Sequence, residues 1–281
     1  MTWRPAAAGT PLVPLRYLPV GACASLPNPS VPAIVLRRLL AALGLLVLPL
    51  ADGRAQERPS PQQLAARHDS LVGGRAALEA HQSLRVVGTL AIPEYGLEAP
   101  FEILKKRPDR YLFRATLGAV GEMLSGYDGA HAWSVQPGAG AQLLPEALAA
   151  SVKRQADFFA DLHDLSQFTS LETLEPAPFD GRPAQVLRMV LASGDTLVEY
   201  FDASTGLSAG GRLTVATPTG RVESTRLVSE YRTFGGVTVA TRIEQRQPQL
   251  RMILTIVSVT FDEVTDADVA PPEAVRQLIK P

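Results

Sequence analysis

One cysteine, Cys23, stands in a chain of 281 residues, which excludes a disulfide framework and any zinc site built on thiolates. Aromatic residues are sparse at 6%, and the charged residues nearly cancel to a formal net charge of −1. No run of lysine and arginine is long enough to follow a phosphate backbone, so no nucleic-acid partner is expected. The longest uncharged apolar stretch, Leu39 to Ala51, has 13 residues, against the roughly 20 that a membrane-spanning helix needs. The one Gly-x-Ser-x-Gly string, Gly206 to Gly210, lies between two strand-like stretches and not at the strand-to-helix turn of a nucleophile elbow, and the four histidines, His68, His81, His131 and His163, are scattered over separate elements, so the usual hydrolase constellations are not expected. There is no internal repeat of 20 to 50 residues and no low-complexity segment.

What is present begins with an address. Arg37-Arg38 precede the uncharged run "LLAALGLLVL" and then "PLADGRA", with Gly53 and Ala55 at the small-residue positions before a cut. This pattern predicts a secretory signal peptide cleaved after Ala55. The proline-studded stretch upstream of Arg37 matches no charged n-region, and translation is expected to begin near Val35 rather than at Met1. Gln56 follows the cut instead of cysteine, so no lipid is attached there. Residues 1–55 carry five basic residues (Arg4, Arg16, Arg37, Arg38, Arg54) and one acidic (Asp52), leaving 22 basic against 27 acidic in residues 56–281. That remainder reads as one mildly acidic, cysteine-free domain that tolerates an oxidising compartment without depending on it.

Ser60 is placed as an N-cap ahead of Leu64, Leu71 and Leu78 at helical spacing, and Gly73-Gly74 predicts a break between two helices. From Leu84 the period becomes two. The stretches "LRVVGTLAIP", "LEAPFEILKK", "RYLFRATLG" and "GEMLSGYDG" are rich in β-branched and aromatic residues and are separated by Gly, Pro and Asp, which marks strands. A helix is predicted from Pro145 to Leu162, with Leu148, Val152, Phe159 and Leu162 on one face and Lys153, Arg154, Asp157 and Asp161 on the other. Strands resume and continue to Phe261, joined by short turns such as Ala192–Asp195, Pro218–Gly220 and Phe234–Gly236. Such turns connect antiparallel neighbours and cannot form parallel crossovers. The reading is an α+β meander of ten or eleven strands, closed by a short helix at Pro272 to Leu278. So many strands in series tend to curl into a barrel or half-barrel, with the mid-chain helix covering the concave face.

The candidate chemistry is thin. Within "SGYDGAHAWSVQPGAG" (Ser125–Gly140), Tyr127, Asp128, His131 and Trp133 could form a catalytic cluster, but Asp128-Gly129 is a strong hairpin signal and the hairpin is favoured. His131, Trp133 and Val135 should then share one face. "DLHDL" offers Asp161, His163 and Asp164, but the first two are two residues apart on a helix end and do not share a face, so no metal site is expected. "LVGGRAAL" lacks the strand-then-helix setting of a nucleotide loop. Lys105-Lys106-Arg107 reads as a solvated turn.

The order of "LVGGRAALEAHQSLRVVGTL", "GYDGAHAW", a mid-chain helix, "YFDASTGL" and "YRTFGGVTVATRIE" resembles the outer-membrane lipoprotein-sorting protein family, the periplasmic lipoprotein carriers and localisation factors. Tyr127, Asp128, Gly129 and Trp133 match one hairpin, Asp202, Thr205, Gly206 and Leu207 a second, and Gly236 and Val237 a turn; Ala240 stands where relatives often carry proline. The resemblance implies a strongly curved antiparallel sheet, a half-open β-barrel whose concave face is covered by helices, holding the acyl chains of a lipoprotein or another lipid. It implies a periplasmic, non-catalytic monomer without cofactor, whose further partner would be an envelope membrane protein. The residues assigned to the apolar cavity and its lid are Leu148, Val152, Phe158, Phe159, Leu162 and Trp133. The alternative is an envelope sensor or assembly factor that binds a polypeptide on the same fold.

Overall fold

The computed structural model describes residues 58–279 apart from 218–219 and 248–249. The expected signal peptide and its cleavage site after Ala55 lie outside the described residues. The first helix, α1 (Pro61–Leu71), starts where the sequence placed its cap: Ser60 Oγ accepts the Gln63 amide, and the Gln63 side chain returns the bond to the Ser60 amide. This reciprocal box satisfies two amides that no helical carbonyl can reach. The glycine pair then separates α1 from α2 (Gly74–Glu79). Gly73 has φ +107° and a Cβ there would lie 2.5 Å from the Gly236 carbonyl oxygen. The Thr238 amide donates to the Val72 carbonyl at 2.9 Å. The elbow is thus docked, backbone to backbone, onto the sheet, and only glycine fits at that spot.

Thirteen strands follow: β1 (Ser83–Ile92), β2 (Leu97–Lys106), β3 (Arg110–Thr116), β4 (Glu122–Asp128), β5 (Ala132–Gln136), β6 (Gly140–Leu143), β7 (Phe168–Phe179), β8 (Arg182–Leu191), β9 (Thr196–Asp202), β10 (Ser208–Thr217), β11 (Gly220–Phe234), β12 (Val237–Gln247) and β13 (Leu250–Phe261). They form one antiparallel sheet in the order β6-β5-β4-β3-β2-β1-β13-β12-β11-β10-β9-β8-β7. Every neighbouring pair is consecutive in the chain except β1 and β13, whose pairing joins an N-terminal run of six strands to a C-terminal run of seven. The sheet is not closed, because β6 and β7 remain as its two edges. The count exceeds the ten or eleven expected. β6, four residues of "GAQL", has no strand pattern of its own and is held by its register with β5, Trp133 opposite Leu143 and Val135 opposite Ala141.

The connection between the two edges carries α3 (Glu146–Ala156), which is shorter than the helix predicted to Leu162. Asp157 leaves helical geometry with ψ 123°, and its carboxylate accepts the Phe159 amide at 2.9 Å. An aspartate that bonds its own downstream backbone competes with the helical ladder and ends it. Phe158, Phe159 and Leu162 therefore lie beyond the helix. The last helix, α4 (Glu273–Ile279), matches the expected position to within a residue. No described helix is long and apolar enough to cross a membrane.

Candidate ligand-binding face

Register identifies the two faces of the sheet, because residues directly opposite one another in an antiparallel pair point the same way. Leu84, Lys105, Tyr111, Tyr127 and Ala132 are successive partners across β1 to β5. Leu84 also pairs with Phe261 of β13. On the far side of the molecule, Leu187, Glu199, Gly211, Arg226 and Gln245 continue the same face across β8 to β12.

All three N-terminal and mid-chain helices pack on this face. Leu64 of α1 is buried with Leu187, Met189 and Phe201. Leu78 of α2 joins Phe158 and Val237, with Leu84, Phe159, Leu162, Val239 and Phe261 around them. Val152 and Ala156 of α3 are buried against Tyr111, Tyr127 and Ala132. Polar bonds reinforce the last contact: Tyr111 Oη donates to Gln155 Oε1 at 2.6 Å, and Lys105 Nζ donates to the Asp157 carbonyl at 3.2 Å. Burial of Tyr111 pushes its hydroxyl well above the usual phenol range.

The first face is therefore a surface under three helices with apolar clusters beneath each of them, and it also carries Lys105, Glu199, Arg226 and Gln245. No family model matches this chain, and no curated protein does. Among solved structures it is similar to a DUF1329 family protein from Desulfovibrio piger, at TM-score 0.55 and 14% identity over 76% of this chain and 98% of that one. A putative outer-membrane lipoprotein-sorting protein domain from Vibrio parahaemolyticus superposes at TM-score 0.51 and 11% identity, over 74% of this chain and 93% of the other. A LolA superfamily protein from Nitrosomonas europaea gives TM-score 0.50 and 13% identity, over 75% and 98%. The chain has the lipoprotein-sorting fold. The resemblance read from the hairpins and turns of the sequence holds at the level of architecture.

Within this lipoprotein-sorting fold the expected site residues separate into groups. Val152 is 2% exposed under α3, while Leu148 on the same helix is half-buried. Phe158, Phe159 and Leu162 gather under α2. Trp133 does not join them. It points to the opposite face, where it is buried with Leu104, Leu112, Val264, Val269 and Val275 beneath the C-terminal segment and α4. The period-two reading was right about alternation, but nothing in the local sequence says which face a helix will take. The hairpin turns at Gly129-Ala130: the Asp128 amide donates to the His131 carbonyl at 3.2 Å, Asp128 Oδ1 accepts the amides of Ala130 (2.9 Å) and His131 (2.6 Å), and Gly129 has φ +94°. The carboxylate is occupied by the turn, and His131 is exposed. On that opposite face the C-terminal segment also bounds a cavity of about 340 Å³, bordered by Arg85, Glu102, Leu104, Arg114, Asp268 and Arg276.

A cluster that sequence reasoning missed ties the helices to the helix-covered face. His163 donates from Nδ1 to Asp69 of α1 at 2.7 Å and from Nε2 to Glu199 of β9 at 2.9 Å. The His163 amide also reaches Asp69 Oδ2 at 3.1 Å, and Glu199 Oε1 accepts from Ser208 at 2.9 Å. Burial alone would lower the imidazole's pKa. The Glu199 charge and the bonds to both carboxylates outweigh burial and raise it from 6.5 to about 10. Burial likewise pushes Asp69 up, but bonds from His163 and His68 hold it below the usual carboxylate range. His68, Asp69 and His163 bring donor atoms within 4.8 Å of one another. Both His163 nitrogens are already bonded to carboxylates, so the cluster is an ion-paired clasp. Asp69 and His163 are 94 residues apart, and no periodicity links them.

Proposed function

We propose that this protein is an exported, non-catalytic carrier or binding protein that holds the acyl chains of a lipoprotein, or of another apolar lipid, between the sheet and its helices. The observation that carries this reading is the packing of α1, α2, α3 and the Phe158–Leu162 segment on one face of a sheet that is left open between β6 and β7. We read that face as the concave side of a half-open barrel formed by residues 56–281, with Leu148, Val152, Phe158, Phe159 and Leu162 as the lid lining. Trp133, on the other face, is left out of it. The lipoprotein-sorting proteins of the same fold support the choice of ligand class. Export by the signal peptide, with cleavage after Ala55, would deliver the protein to the periplasm.

The mechanism is physical. Each methylene taken out of water contributes roughly 0.8 kcal/mol, so a chain of ~14 carbons gains about 10 kcal/mol before the costs of ordering it. Release requires the α3 segment to move or a partner to offer a better surface. Native mass spectrometry of gently purified protein tests the proposal: co-purified lipid of stoichiometric amount is the expected result. An empty protein that captures one polypeptide from the cell envelope, and no acyl ligand, would favour the assembly-factor reading instead.

A further inference from the structure

On the helix-covered face, apart from Lys105 and the Glu199 clasp, a block of polar side chains on β11 and β12 interrupts the apolar lining. Arg226 and Gln245 are direct partners, and Thr225 pairs with Arg246, so alternation puts Ser224 and Gln247 on the same face one step further along. Ser224 and Gln245 are each only 2% exposed. Their surroundings are apolar: Leu213, opposite Ser224 on β10, Val222, Met252, opposite Gln245 on β13, and Leu254 are all buried. Arg226 has an interaction of its own. Ser224 Oγ, Gln245 Oε1 and Gln247 Nε2 have no hydrogen-bond partner, although all three atoms are buried. A buried polar atom left without a partner costs about 1–3 kcal/mol, and a bound group that pairs with it removes that cost.

The three atoms define what that occupant must offer. Gln245 Oε1 can only accept, Gln247 Nε2 can only donate, and the Ser224 hydroxyl does both. A hydrocarbon supplies neither function, and a fatty-acid carboxylate supplies acceptors without donors, so it leaves Gln245 Oε1 unpaired. A neutral group with hydroxyls and ester oxygens meets all three demands. Resting on the carrier reading above, we infer that Ser224, Gln245 and Gln247 form the polar end of the ligand site and select an acylglycerol head, whose chain then lies along the apolar lining.

The test compares monooleoylglycerol with 1-octadecene, each presented to the protein by the same cyclodextrin and followed by displacement of an apolar fluorescent probe. Monooleoylglycerol should bind the wild type at least about tenfold more tightly, the equivalent of about one well-made hydrogen bond. Ser224→Ala combined with Gln245→Leu should abolish that preference while octadecene binding changes less than about threefold, since the apolar lining is intact. The double variant without ligand should melt no lower than the wild type, because an unpaired acceptor has been replaced by an apolar side chain of similar size. Gln247→Met, at a half-buried position, provides the same comparison if the double variant fails to fold. Binding of both lipids with equal affinity, unchanged in the variants, overturns this inference and leaves the carrier reading standing. A crystal structure in which ordered water satisfies all three atoms, with monooleoylglycerol binding no better than octadecene, overturns it equally. Binding of neither lipid removes the carrier reading itself.

Discussion

At the scale of single residues, Gly126 and Trp133 constrain each other. The two are direct partners on β4 and β5, and a Cβ at Gly126 would lie 2.4 Å from the indole Cζ2 and 2.9 Å from the Tyr111 carbonyl oxygen. The indole therefore lies flat across a strand position that has no side chain, and this is how a fully buried tryptophan fits beneath Leu104, Leu112 and the Val264–Val275 segment. Gly126→Ala should overpack the site and cost about 1–3 kcal/mol in urea unfolding. The indole is the nearer obstacle, so part of that cost should disappear in a Trp133→Leu background, with the Tyr111 carbonyl retaining the rest; costs that simply add would show that the indole is not what the glycine accommodates. This pair also explains why "GYDGAHAW" reads so readily as a turn signature. Its glycine, aspartate and tryptophan serve packing and turn geometry on the face covered by the C-terminal segment and α4, away from α1, α2 and α3.

Between elements, the His163 clasp is the contact with a measurable pH signature. It joins α1 to β9 through the segment that follows α3, with Asp69, His68 and Glu199 around the ring. Below pH 6.5 the imidazole is protonated in the folded and the unfolded chain alike, so its full stabilisation is present. As pH rises from 6.5 through about 10 the unfolded chain gives up the proton first, and the contribution is lost. Asp69 acts in the opposite sense: its depressed pKa contributes above the ordinary value of 3.8 and is lost as pH falls below it. The melting-temperature gap between wild type and His163→Gln should therefore be widest between about pH 4 and 6.5 and close toward pH 10. A gap as wide at pH 10 as at pH 6 would mean that His163 contributes by packing alone. Much at this scale was legible in the sequence: the Ser60 cap, the Gly73-Gly74 break, the meander and the terminal helix all follow from local chemistry. The clasp was not, because "DLHDL" shows a histidine among aspartates while its real partners come from α1 and β9. Nor was the early end of α3, since the apolar spacing of Phe159 and Leu162 continues past Asp157 although the backbone does not.

For the molecule as a whole, the question is whether α3 is a lid or part of the core. Its contacts run to β3, β4 and β5, next to the open edge at β6, while α1 and α2 hold the opposite end of the sheet through β7, β8 and β12. Strands β7 to β13 thus make a body of their own, joined to the rest through β1, and nothing in their pairing depends on α3. Val152 reports on this division, being 2% exposed and enclosed by Tyr111, Tyr127, Ala132 and Ala156. An aspartate there cannot stay ionised inside that cluster without a partner, so it must draw α3 away from the sheet or unfold the chain. We expect undocking: in Val152→Asp, hydrogen exchange should become fast in residues 146–156 and stay slow in β8 to β12. Affinity for an apolar fluorescent probe should fall at least about tenfold, for which ~1.4 kcal/mol is enough. Cooperative loss of protection across every strand, together with a wild type that binds no probe, would make α3 a core helix and leave the sheet without a lid to open.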